Sequence, residues 1–405
     1  ESRLKNIIDF DVSKHKKIIL SNYFGGTHEF PKIKYEKINY QQYTSKDWKE
    51  FSIECAQIII DQAITTTTIE KSWIGIDYHP EMDANLLAAL KPDIFSGTCG
   101  LSMLFTDLYK SFNNPIYKDF AIGSLQSTLA IIEKSKEKFR VFLHEWHRTS
   151  KPLIVGAYIG IGSQIIALEY CTRYIKETKL KKALEKYISI IPFGELTKNS
   201  SSDFITGFPG LLFSLINYVD KDYLFSLSNL QNKEIKCIPE ESFIKLQLQP
   251  LEKGIGYLQF LLNQENTSIF DLKKPAKLAE LIIGLEYLEL NKNNKSIRSY
   301  YDTFLTKPPK KLRTTQLIEY ADLSLNLYEI LNEEKYFILA SSFAKEIVDR
   351  KKETGEWLSD IWASENYYLS VLYGTGALSH LFLRLTKSGK FGSFRRLSTF
   401  KNMKL

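Results

Sequence analysis

Cysteine is nearly absent from this 405-residue chain: Cys55, Cys99, Cys171 and Cys237 are the only four, and no two form a Cys-x-x-Cys pair. Such spacing suggests neither a disulfide framework nor a thiolate zinc cluster, and it suits a reducing compartment. Long apolar runs are missing as well. No stretch reaches the ~20 residues needed to span a bilayer, and the N-terminus lacks the basic, apolar and small-residue succession of a signal peptide. A cytoplasmic location is therefore expected. The first residue is Glu1 rather than Met, as expected of a piece of a longer polypeptide. Charge of one sign is not concentrated anywhere: 54 Lys and Arg are interspersed with 47 Asp and Glu, net +7, so a nucleic-acid partner is not indicated. The densest basic run, Lys387–Lys404, holds Lys390, Arg395, Arg396, Lys401 and Lys404. It reads as a solvated tail, or as a contact for an acidic leader peptide.

What is present is the composition of a folded protein, 44% hydrophobic, 25% charged and 13% aromatic, and a length that suits either two domains or one large closed barrel. Glycine is scarce, with 20 residues, yet several recur in one frame, Gly-x-x-Gly ahead of an apolar segment. The frame occurs at Gly97–Gly100 before LSMLFTDLY, at Gly160–Ser163 before QIIALEYC with serine in the second place, and at Gly207–Gly210 before LLFSLINYV. Weaker copies stand at Gly254–Tyr257 and Tyr373–Gly376, and two faint ones are placed at Leu281–Gly284 and Ala321–Ser324. Seven repeats result.

Between the frames lie amphipathic stretches such as EKYFILASSFAKEIVDRKKE, with apolar residues three and four apart, so each repeat predicts two helices. Seven helix pairs predict an all-α fold, an α/α toroid with the apolar, glycine-led helices inside and the amphipathic ones outside. The barrel is expected over 71–405, with 1–70 as an N-terminal appendage and 217–250 as a polar insertion. No alternating pattern is long enough to predict a sheet, apart from short pieces near Lys32–Tyr40 and Ile235–Leu248. The glycines are expected to turn the chain tightly into each helix and to gather at one end of the ring, where helix N-termini favour an anionic group such as a thiolate or enolate.

These segments, from about Trp73 to the C-terminus, resemble the lanthionine cyclase fold. WIGIDY, DIFSGTCGLSMLFTDLYK, VGAYIGIGSQIIALEY, SDFITGFPGLLFSLINYV and YGTGALSHLFLRL are similar, in that order, to the cyclase domain of class II (LanM-type) lanthipeptide synthetases. The resemblance implies addition of a peptide's cysteine thiols to dehydroalanine or dehydrobutyrine. In the family, zinc held by one cysteine and a later Cys-His pair activates the thiol, which loses its proton when metal-bound. Here the matching positions hold Ala279, Glu319 and Tyr320, no cysteine follows Cys237, and the only histidine after His147 is His380. The implication is a metal-independent cyclase, with no cofactor, as in class III synthetases. Precursor peptide and a dehydratase or kinase/lyase domain are the implied partners.

The same resemblance assigns Asp203, in Asp-Phe-Ile-Thr-Gly, to the family's aspartate near the metal site, and puts Glu252 or Lys253 where the family has a histidine that acts as acid or base. Asp203 has an alternative reading as a helix cap. Lys253 reads either as a proton carrier or as an exposed turn lysine. The Tyr320 hydroxyl would polarise the enolate if it faced the cavity; otherwise the repeat has repacked. Glu319 and Glu252 are candidates for peptide binding. His144 and His147 lack the spacing of a zinc helix, His380 reads as a packing residue, and Cys99 as a buried filler. Two rival functions remain open: a degenerate domain that only binds peptide or props up a dehydratase, and a helical-toroid glycosidase, for which paired carboxylates are lacking.

Overall fold

The architecture is that of a computed structural model, which describes residues 43–65, 69–79, 84–133, 154–191, 196, 205–215, 285, 288–289, 292–293, 295–306, 312–358, 367–386 and 392–396. Asp203, Glu252, Lys253, Ala279, His144, His147, Cys237, the frames at 254–257 and 281–284, and the insertion at 217–250 lie outside them.

The protein is all-α: eleven helices and four short strands form the described residues. The helices are α1 (Ser45–Gln62), α2 (Thr98–Phe112), α3 (Pro115–Ser124), α4 (Gln126–Ile132), α5 (Ile161–Ile175), α6 (Thr178–Ile190), α7 (Phe208–Leu215), α8 (Lys295–Thr306), α9 (Thr314–Leu331), α10 (Glu334–Thr354) and α11 (Thr375–Thr386). None of them is long and apolar enough to cross a membrane.

Two helix types appear, as the patterning requires. In the glycine-led helices nearly every residue is buried: Thr98 to Leu108 in α2, Ile161 to Cys171 in α5 and Thr375 to Leu385 in α11. Their partners bury one stripe, such as Leu180, Leu184, Tyr187 and Ile190 of α6, spaced by three and four so that one face meets the core. The pairs are α2 with α3, α5 with α6 and α9 with α10, while α11 pairs with α1. That last pair joins the two ends of the described chain. Ser52 and Ser379 exchange hydroxyl-to-carbonyl hydrogen bonds at 2.8 and 2.9 Å, so small side chains allow α1 and α11 to approach closely. Trp48 stacks on Phe382 at 5.6 Å beside them. Helix α1, which falls in the expected appendage, begins with a reciprocal cap in which Asp47 accepts from the Thr44 backbone at 2.6 Å and the Thr44 hydroxyl accepts from the Asp47 amide.

Two features depart from expectation. Strands β3 (Ile74–His79) and β4 (Ala84–Ala89) pair antiparallel over six residues, after a shorter pair β1 (Ile64–Thr65) and β2 (Lys71–Ser72). Ala-Asn-Leu-Leu-Ala-Ala in β4 favours helix locally, but its pairing with β3 overrides that preference. The second departure concerns the sixth repeat. Ala321–Ser324 were expected to form its opening turn, yet α9 starts at Thr314 and runs through them. The stretch contains no glycine or proline to stop it, and the Gln316 side chain caps the start by accepting from the Arg313 amide at 2.9 Å.

Three helices end on a non-glycine residue in the left-handed region: Asn113, Asn332 and Lys176. Asparagine tolerates that conformation and lysine does not. Lys176 is exposed, with φ +59°, so Lys176→Gly is expected to raise stability by about 0.5 kcal/mol, the relief of strain being offset in part by the freer unfolded chain. The urea midpoint checks this; an unchanged or lower midpoint contradicts it.

Candidate functional site

Four of the glycine turns are linked into a rim among the described residues. In each of three frames the residue three beyond the first glycine donates its amide to a carbonyl seven residues back: Gly100 to Asp93 at 3.1 Å, Ser163 to Gly156 at 2.9 Å and Ala377 to Ser370 at 3.0 Å. The shared geometry puts Gly97, Gly160 and Gly374 in register. Neighbouring turns are bonded to one another. The Ser370 hydroxyl donates to the Phe95 carbonyl at 2.6 Å, Ile94 and Phe95 amides donate to Tyr158 at 3.0 and 3.1 Å, and Tyr158 and Ile159 amides donate to Ile205 at 3.2 and 3.1 Å. The last frame thus sits beside the first, then the second and third follow, and the N-termini of α11, α2, α5 and α7 gather at this rim.

The register bears on Asp203. It stands four residues before its glycine, as Asp93 does in Asp-Ile-Phe-Ser-Gly, and the Asp93 carboxylate accepts from the Ser96 amide at 3.0 Å. The sister aspartate therefore braces its own turn.

Below the rim a polar layer crosses the glycine-led helices. Asp107, Tyr170 and Arg384 each lie ten residues after the glycine of their frame, so register alone places them at one depth. Asp107 is fully buried. Its carboxylate accepts from the Tyr170 hydroxyl, from Lys110 at 3.2 Å and from His380 Nε2 at 3.3 Å. Burial, joined by the Asp107 charge, pushes the Tyr170 hydroxyl well above its ordinary value. His380 is 3% exposed and packs against Phe394 with ring centres 3.9 Å apart. Burial holds its imidazole below the usual histidine value, although Asp107 pulls the other way. The expected packing histidine thus has a buried carboxylate partner.

Deeper on the same helix, Arg384 bonds Asp322, Asn326 at 2.9 Å and Glu329 at 2.6 Å, all on α9. The C-terminal segment 392–396 completes this network. The Ser393 hydroxyl donates to Asp322 at 2.6 Å, Arg395 bonds the Leu372 carbonyl and lies 3.8 Å from Asp322, and Arg396 pairs with Glu289 and, at 3.8 Å, Glu329. Arg395 and Arg396 are 4% and 1% exposed. This part of the basic run is not the solvated tail that its composition suggests, because carboxylates on α9 and Glu289 draw it into the core. Burial would raise the Asp322 carboxyl, but the Arg384 and Arg395 charges outweigh it and hold the group below its ordinary value. At Glu329 burial wins over the Arg384 charge and the carboxyl is raised. Between α9, α11 and the C-terminal segment remains a small pocket lined by Ile318, Asp322, Leu372, His380, Phe394 and Arg395, with room for about one water.

Of the five candidate site residues, two can be placed. Tyr320 is buried, stacked on Phe304 at 4.7 Å and edge-on to Phe343 at 5.4 Å; burial and then the Glu319 charge raise its hydroxyl. Glu319 is half-buried one position earlier, and its charge also reaches Tyr373 in the last frame. Neither lines the pocket, although Ile318 and Asp322 on the same helix do. Cys99 and Cys171 are fully buried, and burial pushes both thiols up, Cys171 to about 11, so neither suits a ligand or a nucleophile. Among the described residues no three His, Cys, Asp or Glu side chains converge as a metal cluster. Among the described residues the donors do not form a Cys2His set: Cys55, Cys99 and Cys171 are buried in the core, and Glu319 and Tyr320 are a half-buried glutamate and a packed tyrosine. Asp107, Asp322 and Arg384 went unremarked in the sequence; the available signal was a charge inside an otherwise apolar, glycine-led helix.

Residues 88–264 match the family model of the lanthionine synthetase C-like proteins. No curated protein matches the chain.

Proposed function

We propose, taking the lanthionine synthetase C-like match at 88–264 as premise, that this protein is a zinc-independent lanthipeptide cyclase. It adds cysteine thiols of a dehydrated precursor peptide to dehydroalanine or dehydrobutyrine, forming thioether rings as the cyclase part of a larger, cytoplasmic synthetase of LanM type. The observation that carries the reading is the rim. The seventh frame is bonded to the first, and α11 is paired with α1, which supports a ring of helix pairs over an open arc.

Metal-free addition is chemically reasonable. A cysteine with pKa ~8.5 is already a few per cent thiolate at neutral pH, and holding thiol and alkene in a reactive geometry supplies further acceleration. In this reading Asp203, Lys253 and Tyr320 assist proton movement and enolate formation, and Glu252 and Glu319 hold the peptide. Glu319 is favoured by its half-buried place near Tyr373. The Tyr320 ring is held by packing, so Tyr320→Phe isolates its hydroxyl.

The test is to incubate the protein with a dehydrated peptide and titrate free thiols over time. Loss of thiols at least about 100-fold faster than in a protein-free control is expected, the lower end of what positioning and proton transfer give. A rate equal to the control at matched pH removes the cyclase reading and leaves that of a peptide-binding module. Stoichiometric, tightly held zinc by elemental analysis would show that the ligand alignment is wrong.

A further inference from the structure

Thiol addition without a metal needs another acceptor for the thiol proton. We propose that His380 is that general base, with Asp107 as its positioning residue; this rests on the cyclase reading above. His380 stands on α11, a different helix from the 252–253 place where the family's histidine would fall.

The geometry supports it in three ways. His380 lines the pocket beside the seventh glycine turn, on the side that faces α9, the helix carrying Glu319. Its Nε2 meets Asp107 Oδ2 at 3.3 Å, and that carboxylate is itself pinned by Tyr170 and Lys110. An ionised carboxylate only accepts, so Nε2 carries the ring proton and Nδ1 keeps its lone pair. Among the described residues Nδ1 has no hydrogen-bond partner, and it is not one of the sealed polar atoms, so it is open to the pocket. A histidine held by a buried carboxylate with its other nitrogen bare is an arrangement suited to proton abstraction.

The charged and titratable groups around it come from every packed element: Asp107 and Lys110 from α2, Tyr170 from α5, Asp322 from α9, Arg384 from α11 and Arg395 from the C-terminal segment. Burial dominates over the two carboxylates, and the imidazole stays neutral.

In the step, Nδ1 takes the proton from the substrate S–H. The sulfur pair forms the C–S bond at the β-carbon of the dehydroamino acid, and the alkene π pair moves onto the carbonyl as an enolate. The imidazolium then returns its proton to the α-carbon, so nothing is gained or lost. Arg395 lines the same pocket, and its Nε has no hydrogen-bond partner among the described residues, so it is placed to stabilise the enolate oxygen. Because the pocket holds little more than a water, the entering peptide has to move Phe394, the ring packed on His380.

The thiol assay on the full chain tests this with His380→Gln, Asp107→Asn and His380→Ala, each first checked for native far-UV circular dichroism. Wild type is expected to beat the protein-free control, with a rate that falls in acid through a limb below ~6.5, the ordinary histidine value. His380→Gln is expected to lose about 100-fold or more in kcat with little change in KM. Its residual rate should follow only the substrate thiol's own ionisation. His380→Ala should recover with added imidazole beyond imidazole's effect on the control. Asp107→Asn, which presents a donor to Nε2 and forces the proton onto Nδ1, should lose rate similarly. A His380→Gln enzyme as fast as wild type, or one that keeps the acid limb, overturns His380 as base and leaves the cyclase reading standing. Absence of imidazole recovery in folded His380→Ala also overturns it. A wild type no faster than the control removes the cyclase reading itself, and the two failures are distinct.

Discussion

Arg384→Ala is expected to lower the unfolding free energy by about 3–5 kcal/mol, the usual cost of removing one partner from a buried ion pair. The guanidinium is fully buried on α11 and meets Asp322, Asn326 and Glu329, which recur along one face of α9. Taking it away leaves two carboxylates in the core with Arg395 and Arg396, each at 3.8 Å, as their remaining cations. The cost therefore comes mostly from stranded charge rather than from a lost attraction, and the design of the control follows. Arg384→Met combined with Asp322→Asn and Glu329→Gln should recover only part of the loss, since it removes the stranded carboxylates but takes Asp322 from the buried Arg395. Lys46→Ala, which breaks the Lys46–Glu50 pair at 3.9 Å with both side chains largely exposed, should change stability by less than about 0.5 kcal/mol. Urea unfolding followed by tryptophan fluorescence measures all three. An Arg384→Ala loss as small as that of Lys46→Ala would mean that water reaches the network.

The second large effect is expected at Gly97. A Cβ there would lie 1.9 Å from the Lys91 carbonyl oxygen and 2.8 Å from both N and O of Asp93. These are backbone atoms in a turn that bonds Thr98 to Lys91 and Gly100 to Asp93, and that is tied through Phe95 to Ser370 and Tyr158. No side chain can swing away, so the turn itself must move and the rim bonds on both sides are strained. Gly97→Ala should cost about 3 kcal/mol, the upper end for inserting a methyl into a packed site. The φ of Gly97 is −109°, which any residue adopts, so the penalty is one of space alone. Gly355 supplies the opposite case. Its φ is +82° and a Cβ there meets nothing within 4 Å, so Gly355→Ala should cost only about 1 kcal/mol of backbone strain. If both substitutions cost the same, close packing at the rim is not what the frame's glycine is for.

The contrast between those two glycines explains what could be read before folding. Gly97, Gly160 and Gly374 stand out in a glycine-poor chain because each turn brings a carbonyl into the space of a side chain. The sixth repeat shows the converse. With no glycine to mark it, α9 was expected to begin after Ser324 and in fact begins at Thr314, because helix-forming residues without a breaker simply continue. The β3–β4 hairpin was missed for a related reason: Ala84–Ala89 has helical composition, and only pairing with Ile74–His79 makes it a strand.

The candidate site was less legible than the fold. Asp107 lies 273 residues from His380, and Asp322 lies 62 from Arg384; no local pattern links such pairs. Arg395 and Arg396 looked like part of a solvated run, since composition cannot tell a charge facing water from one facing a buried carboxylate.

By itself the amino-acid order determined the helical class, the two kinds of helix and the glycine turns that begin four of the described helices. Those depend on neighbours in sequence, where periodicity and steric need act over a few residues. Which charges share a pocket, that the first frame meets the last, and that the C-terminal segment lies inside were settled only by tertiary structure. Each depends on contacts between distant residues, and their energy exists only once the helices have packed.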